Sequence, residues 1–92
     1  MEIQLRILNA EGLHARPAGL LAKKAAEFQS SVQILAGGQI KSAKSIMALM
    51  SLGLKKDQEF KLIIDGPDAE AASQALSALV NSGFHTDHQA GK

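Results

Sequence analysis

The apolar spacing changes period early in the chain, and that change dictates a strand followed by a helix. Ile3, Leu5 and Ile7 alternate with Glu2, Gln4 and Arg6, the two-residue period of a half-buried strand over 2–8. Leu20, Leu21, Lys24, Ala25 and Phe28 then recur at helical spacing. The switch is made over Gly12-Leu13-His14-Ala15-Arg16-Pro17-Ala18-Gly19, after the turn Asn9–Gly12. Pro17 suits the first turn of a helix, where its missing N–H removes no bond. Arg16 precedes a proline and is pushed towards extended backbone, so the helix is predicted to start at Pro17 and end near Phe28.

The chemistry of that helix start is unusual for what it lacks. Helices commonly begin with Ser, Thr, Asp or Asn, whose side-chain oxygen satisfies one of the orphan N–H groups. Here the run is Ala15-Arg16-Pro17-Ala18-Gly19, with neither a capping oxygen nor a carboxylate. Free amides are therefore expected at Ala18, Gly19 and Leu20, at the positive end of the helix dipole. Such a terminus receives anions, phosphate above all. A histidine in a loop is ordinarily just exposed. Beside an uncapped, basic helix start, His14 becomes a candidate nucleophile and Arg16 a second anion-binding group.

At these residues the sequence resembles a family. GLHARPAG at 12–19, followed by Lys44-Ser45-Ile46-Met47-Ala48-Leu49-Met50-Ser51-Leu52-Gly53, is similar to HPr, the histidine-containing phosphocarriers of the bacterial phosphoenolpyruvate-dependent sugar phosphotransferase system. The resemblance covers about residues 2–84, and two motifs in the right order and separation carry it. It implies that His14 takes a phosphoryl group from phosphorylated enzyme I and passes it to sugar-specific enzyme IIA components. It implies that Arg16 pairs with phosphoryl oxygens, for which a guanidinium is well shaped. The helix start at Pro17, Ala18 and Gly19 would hold the same group. Leu20, Ile46, Met47 and Met50 match the family's apolar docking surface, although residues at such spacing are ordinarily core; Met47 and Leu20 are expected to be exposed, and Ile46 and Met50 are left open.

Ser45 carries two compatible readings. It is placed to cap a short helix ending near Leu52, with Gly53 as the stop. The resemblance adds phosphorylation of this serine by an ATP-dependent HPr kinase/phosphorylase, and with it a catabolite-control transcription factor as a partner. Lys41 and Lys44 stand nearby in sequence as counter-charge.

The remaining chain reads in order as a small α+β unit. Val32, Ile34 and Ala36 mark a strand; Gly37-Gly38 makes a two-residue hairpin turn; Gln39–Ser42 return. Glu59–Asp65 form a fourth strand with Phe60, Leu62 and Ile64 on one face. Gly66–Glu70 open a last helix reaching about Ser82, its start complemented by Asp65, Asp68 and Glu70 and its buried stripe made by Ala69, Ala72, Leu76, Leu79 and Val80. The order βαββαβα implies one sheet with helices on one face. Pattern alone also allows a ferredoxin-like arrangement; the resemblance selects an HPr-like open-faced sandwich, a four-stranded antiparallel sheet covered by three helices.

Residues 1–84 are expected to form a single domain, and 85–92 a polar, frayed tail. His85 and His88 have no further ligand signal near them, so neither a metal nor a cofactor is expected. A net charge of +1, three phenylalanines and no Trp or Tyr argue against direct nucleic-acid binding. No signal segment or membrane-length apolar run is seen, and cysteine is absent, which fits a cytoplasmic monomer. Two departures from the family stand out: Gly19, where many members carry a larger residue, which is expected to loosen the helix's first turn, and the tail beyond Phe84. The competing readings are a transport phosphocarrier, a regulatory HPr-like protein acting through Ser45, and a generic ligand-binding module without phosphotransfer.

Overall fold

A computed structural model describes residues 1–84; His85, His88 and the tail expectation lie outside the described residues. The elements run β1 (Glu2–Arg6), α1 (Ala15–Ala26), β2 (Ser31–Ala36), β3 (Gln39–Ser42), α2 (Ile46–Ser51), β4 (Glu59–Asp65) and α3 (Ala69–Asn81). All strand pairs are antiparallel, in the order β1-β4-β2-β3. This is the open-faced sandwich, and the strand order excludes the ferredoxin-like alternative.

Alternation along each strand sends one set of side chains under the helices. In β2 these are Val32, Ile34 and Ala36, and in β4 Phe60, Leu62 and Ile64. Register aligns them into rows: Ile3 faces Leu62, which faces Ile34. Leu21 and Ala25 of α1, Leu49 of α2 and Ala72, Leu76, Leu79 and Val80 of α3 close the core from the helical side. Ala69 is only half-buried against it. The hairpin turns as expected, with φ of +57° at Gly37 and +78° at Gly38, values that glycine alone adopts without strain.

One helix start differs from expectation. Helix α1 begins at Ala15, not Pro17, with His14 as its N-cap and the Ala18 amide closing the first turn onto the His14 carbonyl at 2.8 Å. The preference against helical backbone before proline gives way here. Pro17 still lies in the first turn, where the missing N–H has no acceptor and its ring meets no helical carbonyl.

Helix α3 begins after Asp68, whose side chain does not cap it. That carboxylate instead accepts from the Gln29 and Ser30 amides, both at 2.9 Å, and from the Ser30 hydroxyl. The Ser30 hydroxyl and the Gln29 amide, both donating to it, hold the Asp68 carboxyl below the usual carboxylate range. It ties the segment after α1 to the start of α3. Ser45, by contrast, caps α2 as expected, its Oγ accepting from Ala48 N at 3.2 Å.

The chain before α1 is hung from the β4 side of the molecule. Ile7 donates to Gln58 O at 3.0 Å and accepts from Asp57 N at 2.7 Å, and Leu13 donates to Leu54 O at 2.9 Å. Gly12 has φ +77°, and a Cβ there would lie 2.5 Å from Leu54 O. Only glycine fits this crossing.

Candidate functional site

The segment from Ile7 to Leu13 delivers His14 to the start of α1 as an exposed side chain on extended backbone, φ −102° and ψ −156°. Its N-cap side chain makes no capping bond, and its first turn holds no acid. An N-terminus in this state keeps its positive partial charge available to an external anion. The amides in question differ from the expected set. Ala18 is committed to the His14 carbonyl, and Gly19, one residue deeper, falls within the regular helical ladder. With His14 as N-cap, the start of the helix is presented by Ala15 and Arg16, Pro17 having no N–H.

Arg16 is exposed two residues beyond His14, and its Nη1 donates to the Phe84 carbonyl at 3.5 Å. Phe84 is itself fully buried at a φ of +64°, with its amide on Leu79 O at 3.0 Å, so the core ring fixes the carbonyl that meets Arg16. His14, Arg16 and Pro17 line a cleft of about 420 Å³ with Leu8, Asn9, Ala10, Glu11 and Gly83. Asn9 and Gly83 were not among the residues singled out by sequence. Asn9 reads there as an ordinary turn residue, and Gly83 as a helix stop, because nothing local signals that α3 ends beside α1.

This combination suits reversible capture of a phosphoryl group. An uncharged imidazole has a lone pair for phosphorus, a guanidinium can pair with the equatorial oxygens, and the helix start offers positive potential without enclosing the group. Chemistry of this kind is positioning and electrostatics.

The candidate docking residues divide. Met47 is 81% exposed, and Ile46 and Met50 are also exposed, on a helix that packs against α1. Leu20 is half-buried and packs on the core, because its place on α1 lies at the edge of the stripe made by Leu21 and Ala25. Its expected exposure is therefore corrected. Ser45 is half-buried at the start of α2. Lys44 is drawn to the other end of α1, its Nζ on the Phe28 carbonyl at 3.0 Å. Gly19 is half-buried within α1, where a Cβ would meet nothing within 4 Å.

Comparison with known proteins agrees with the geometry. A family model described as "PTS HPr component phosphorylation site" matches residues 1–82. The chain is 44% identical over 82 residues to the multiphosphoryl transfer protein of Vibrio cholerae, covering 86% of this chain and 20% of that much longer relative. It is 35% identical over 83 residues to the phosphocarrier protein HPr of Treponema pallidum, covering 90% of this chain and 94% of the relative. An HPr structure from Thermoanaerobacter tengcongensis superposes with a TM-score of 0.89 at 39% identity, covering 95% of this chain and 98% of that one. The Crh protein of Bacillus subtilis, solved as a swapped, intertwined dimer, superposes with a TM-score of 0.73 at 38% identity, covering 90% and 91%. Dimers therefore occur within this fold. Among the described residues no helix is long and apolar enough to cross a membrane. By its motifs, its fold and these matches, the chain belongs to the HPr family and is a phosphocarrier of the phosphotransferase system.

Proposed function

We propose that His14 is the residue that carries the phosphoryl group, taking it from phosphorylated enzyme I and giving it to enzyme IIA components. The observation that carries this reading is an exposed histidine acting as N-cap of a helix with no capping side chain and no acid in its first turn. A ring nitrogen of His14 forms the bond to phosphorus as the donor departs with the electron pair of the broken bond. On transfer to the acceptor the same bond breaks in the reverse sense. Arg16 exchanges its contact with the Phe84 carbonyl for the phosphoryl oxygens, and the helix start at Ala15 steadies the charge. None of these groups encloses the phosphoryl, which suits a group that must leave again.

Ile46, Met47 and Met50 form the surface on which partners dock, with Leu20 contributing its exposed edge. Methionine adapts to partners of different shape. The transferring form is read as a monomer in the cytoplasm, where cysteine-free chains of this kind are at home.

A second reading concerns Ser45, whose exposure is partial and whose hydroxyl already sits at a helix start. A phosphoryl group there is well placed against the α2 dipole and next in sequence to Ile46 and Met47. Phosphorylation by HPr kinase/phosphorylase would thus alter the docking surface, in keeping with the likeness to Crh, and recruit a catabolite-control transcription factor.

Incubation with phosphoenolpyruvate and enzyme I should give acid-labile phosphate on the protein, and His14→Ala should take none while unfolding at the parental temperature. Full acid-labile labelling of the variant would place the acceptor elsewhere.

A further inference from the structure

The loop leading to His14 is anchored at Ile7 and at Leu13, and between these points Leu8, Ala10 and Glu11 are exposed. Asn9 ties the gap. Its Nδ2 donates to the Gly12 carbonyl at 2.8 Å, and its own carbonyl accepts from Gly12 N at 3.2 Å. The peptide joining Gly12 to Leu13 is therefore gripped at both edges, its C=O by the Asn9 side chain and its N–H by Leu54 O. A planar unit held at both edges has lost its freedom to rotate, and only Leu13, itself buried in the core, separates it from His14.

Asn9 also stands in the wall of the cleft with His14, Arg16 and Pro17, and its Oδ1 is buried with no hydrogen-bond partner among the described residues. Buried polar atoms are nearly always paired, and exceptions gather where function constrains the residue. A turn brace alone has no use for that arrangement.

We infer that Asn9 is a positioning residue for phosphoryl transfer, setting through the Gly12–Leu13 peptide the direction in which His14 presents its ring. The inference rests on His14 being the acceptor. Asn9 touches neither phosphoryl group nor partner; it acts on the orientation of the nucleophile, so its effect belongs to the transfer step and not to docking.

The test compares the full chain with Asn9→Ala and with Asn9→Leu, which keeps the side chain's bulk and removes both polar atoms. The maximal rate of His14 labelling by enzyme I should fall about tenfold in each, on the scale that a small misplacement of a reacting group produces. The carrier concentration giving half that rate should stay within about twofold of the parent, since the Met47 surface is untouched. Asp68→Asn, which weakens the fold at the opposite end of α1, serves as a control with a lowered melting temperature and the parental maximal rate. A folded Asn9 variant with the parental maximal rate overturns the inference, as does a loss confined to the half-saturating concentration. In the unaltered protein, the Asn9 side-chain NH₂ and Leu13 N–H resonances should shift when His14 is phosphorylated. Unmoved resonances overturn it even where neither variant folds. A parent that takes no acid-labile phosphate on His14 defeats the acceptor reading instead, a different outcome.

Discussion

Helix α1 starts at His14 with no capping side chain and no acid in its first turn, whereas α3 starts at Asp68 with Glu70 close behind. Neither N-cap side chain bonds its own helix, so in hydrogen-bonding terms the two starts are alike. They differ in where negative charge comes from. In α3 the chain supplies it, through Asp68 and Glu70. In α1 the first turn holds no acid and adds Arg16, which suits its positive end to a group brought by another molecule. Omitting a carboxylate can therefore mark a site as clearly as placing one.

Four substitutions break or sharpen this contrast. The largest loss of stability is expected for Asp68→Ala, because the Gln29 amide, the Ser30 amide and the Ser30 hydroxyl lose their acceptor together. The folded-state carboxyl titrates below its unfolded value. Its contribution is thus fully present above about pH 4 and is lost as pH falls through the lowered folded value. Denaturant titrations from neutral to acid should show this loss in the parent and its absence in the variant. Equal acid profiles would mean the tie does not form.

Ala15→Glu gives α1 the acid that α3 has. It should stabilise the helix by about 0.3–1 kcal/mol and slow labelling of His14 about tenfold, equivalent to about 1.4 kcal/mol on the barrier. Added salt should narrow the gap. A stabilised variant with unchanged labelling would show that the α1 start does not receive the phosphoryl charge. Ser45→Ala removes the side-chain cap of α2, the one such cap among the helices of the described residues, at a cost of about 1 kcal/mol. Urea unfolding measures it, and labelling of His14 should stay parental. The smallest effect is a gain: Gly19→Ala should stabilise α1 by about 0.5–1 kcal/mol through the unfolded chain, since the added methyl meets nothing within 4 Å. A lower melting temperature would point to crowding that the geometry does not contain.

Period and turn chemistry made most of the fold legible. The alternation in β2 and β4, the paired glycines of the hairpin and the Ser45 cap are local signals with local causes. Misreadings arose where a distant residue decided the outcome. Asp68 is legible as an acid at the start of α3, but its bonds to Gln29 and Ser30, far back in the chain, are not. The start of α1 was misplaced because the anchor of Leu13 on Leu54 outweighs the local preference of the residue before Pro17. His14 and Arg16 were visible through motif and spacing. Asn9 was not, since its grip on Gly12 matters only once Gly12 is pressed against Leu54. Leu20 and Met47 show that helical spacing names a stripe without saying where its edge falls.

The strand order has a kinetic consequence. Strands β2 and β3 are joined by a two-residue turn and can pair within microseconds, as short hairpins do. Strand β1 must wait for β4, and Met1, the residue just before it, bonds Ile64, 63 positions away. Closing so long a loop comes late in folding. As a strand at the margin of the sheet, β1, like β3, opens more readily than the central β4 and β2. Its amides should exchange with solvent ahead of those in β2. The segment bearing His14 hangs from that late strand, so a chain caught before β1 docks would hold most of its core and none of its carrier chemistry.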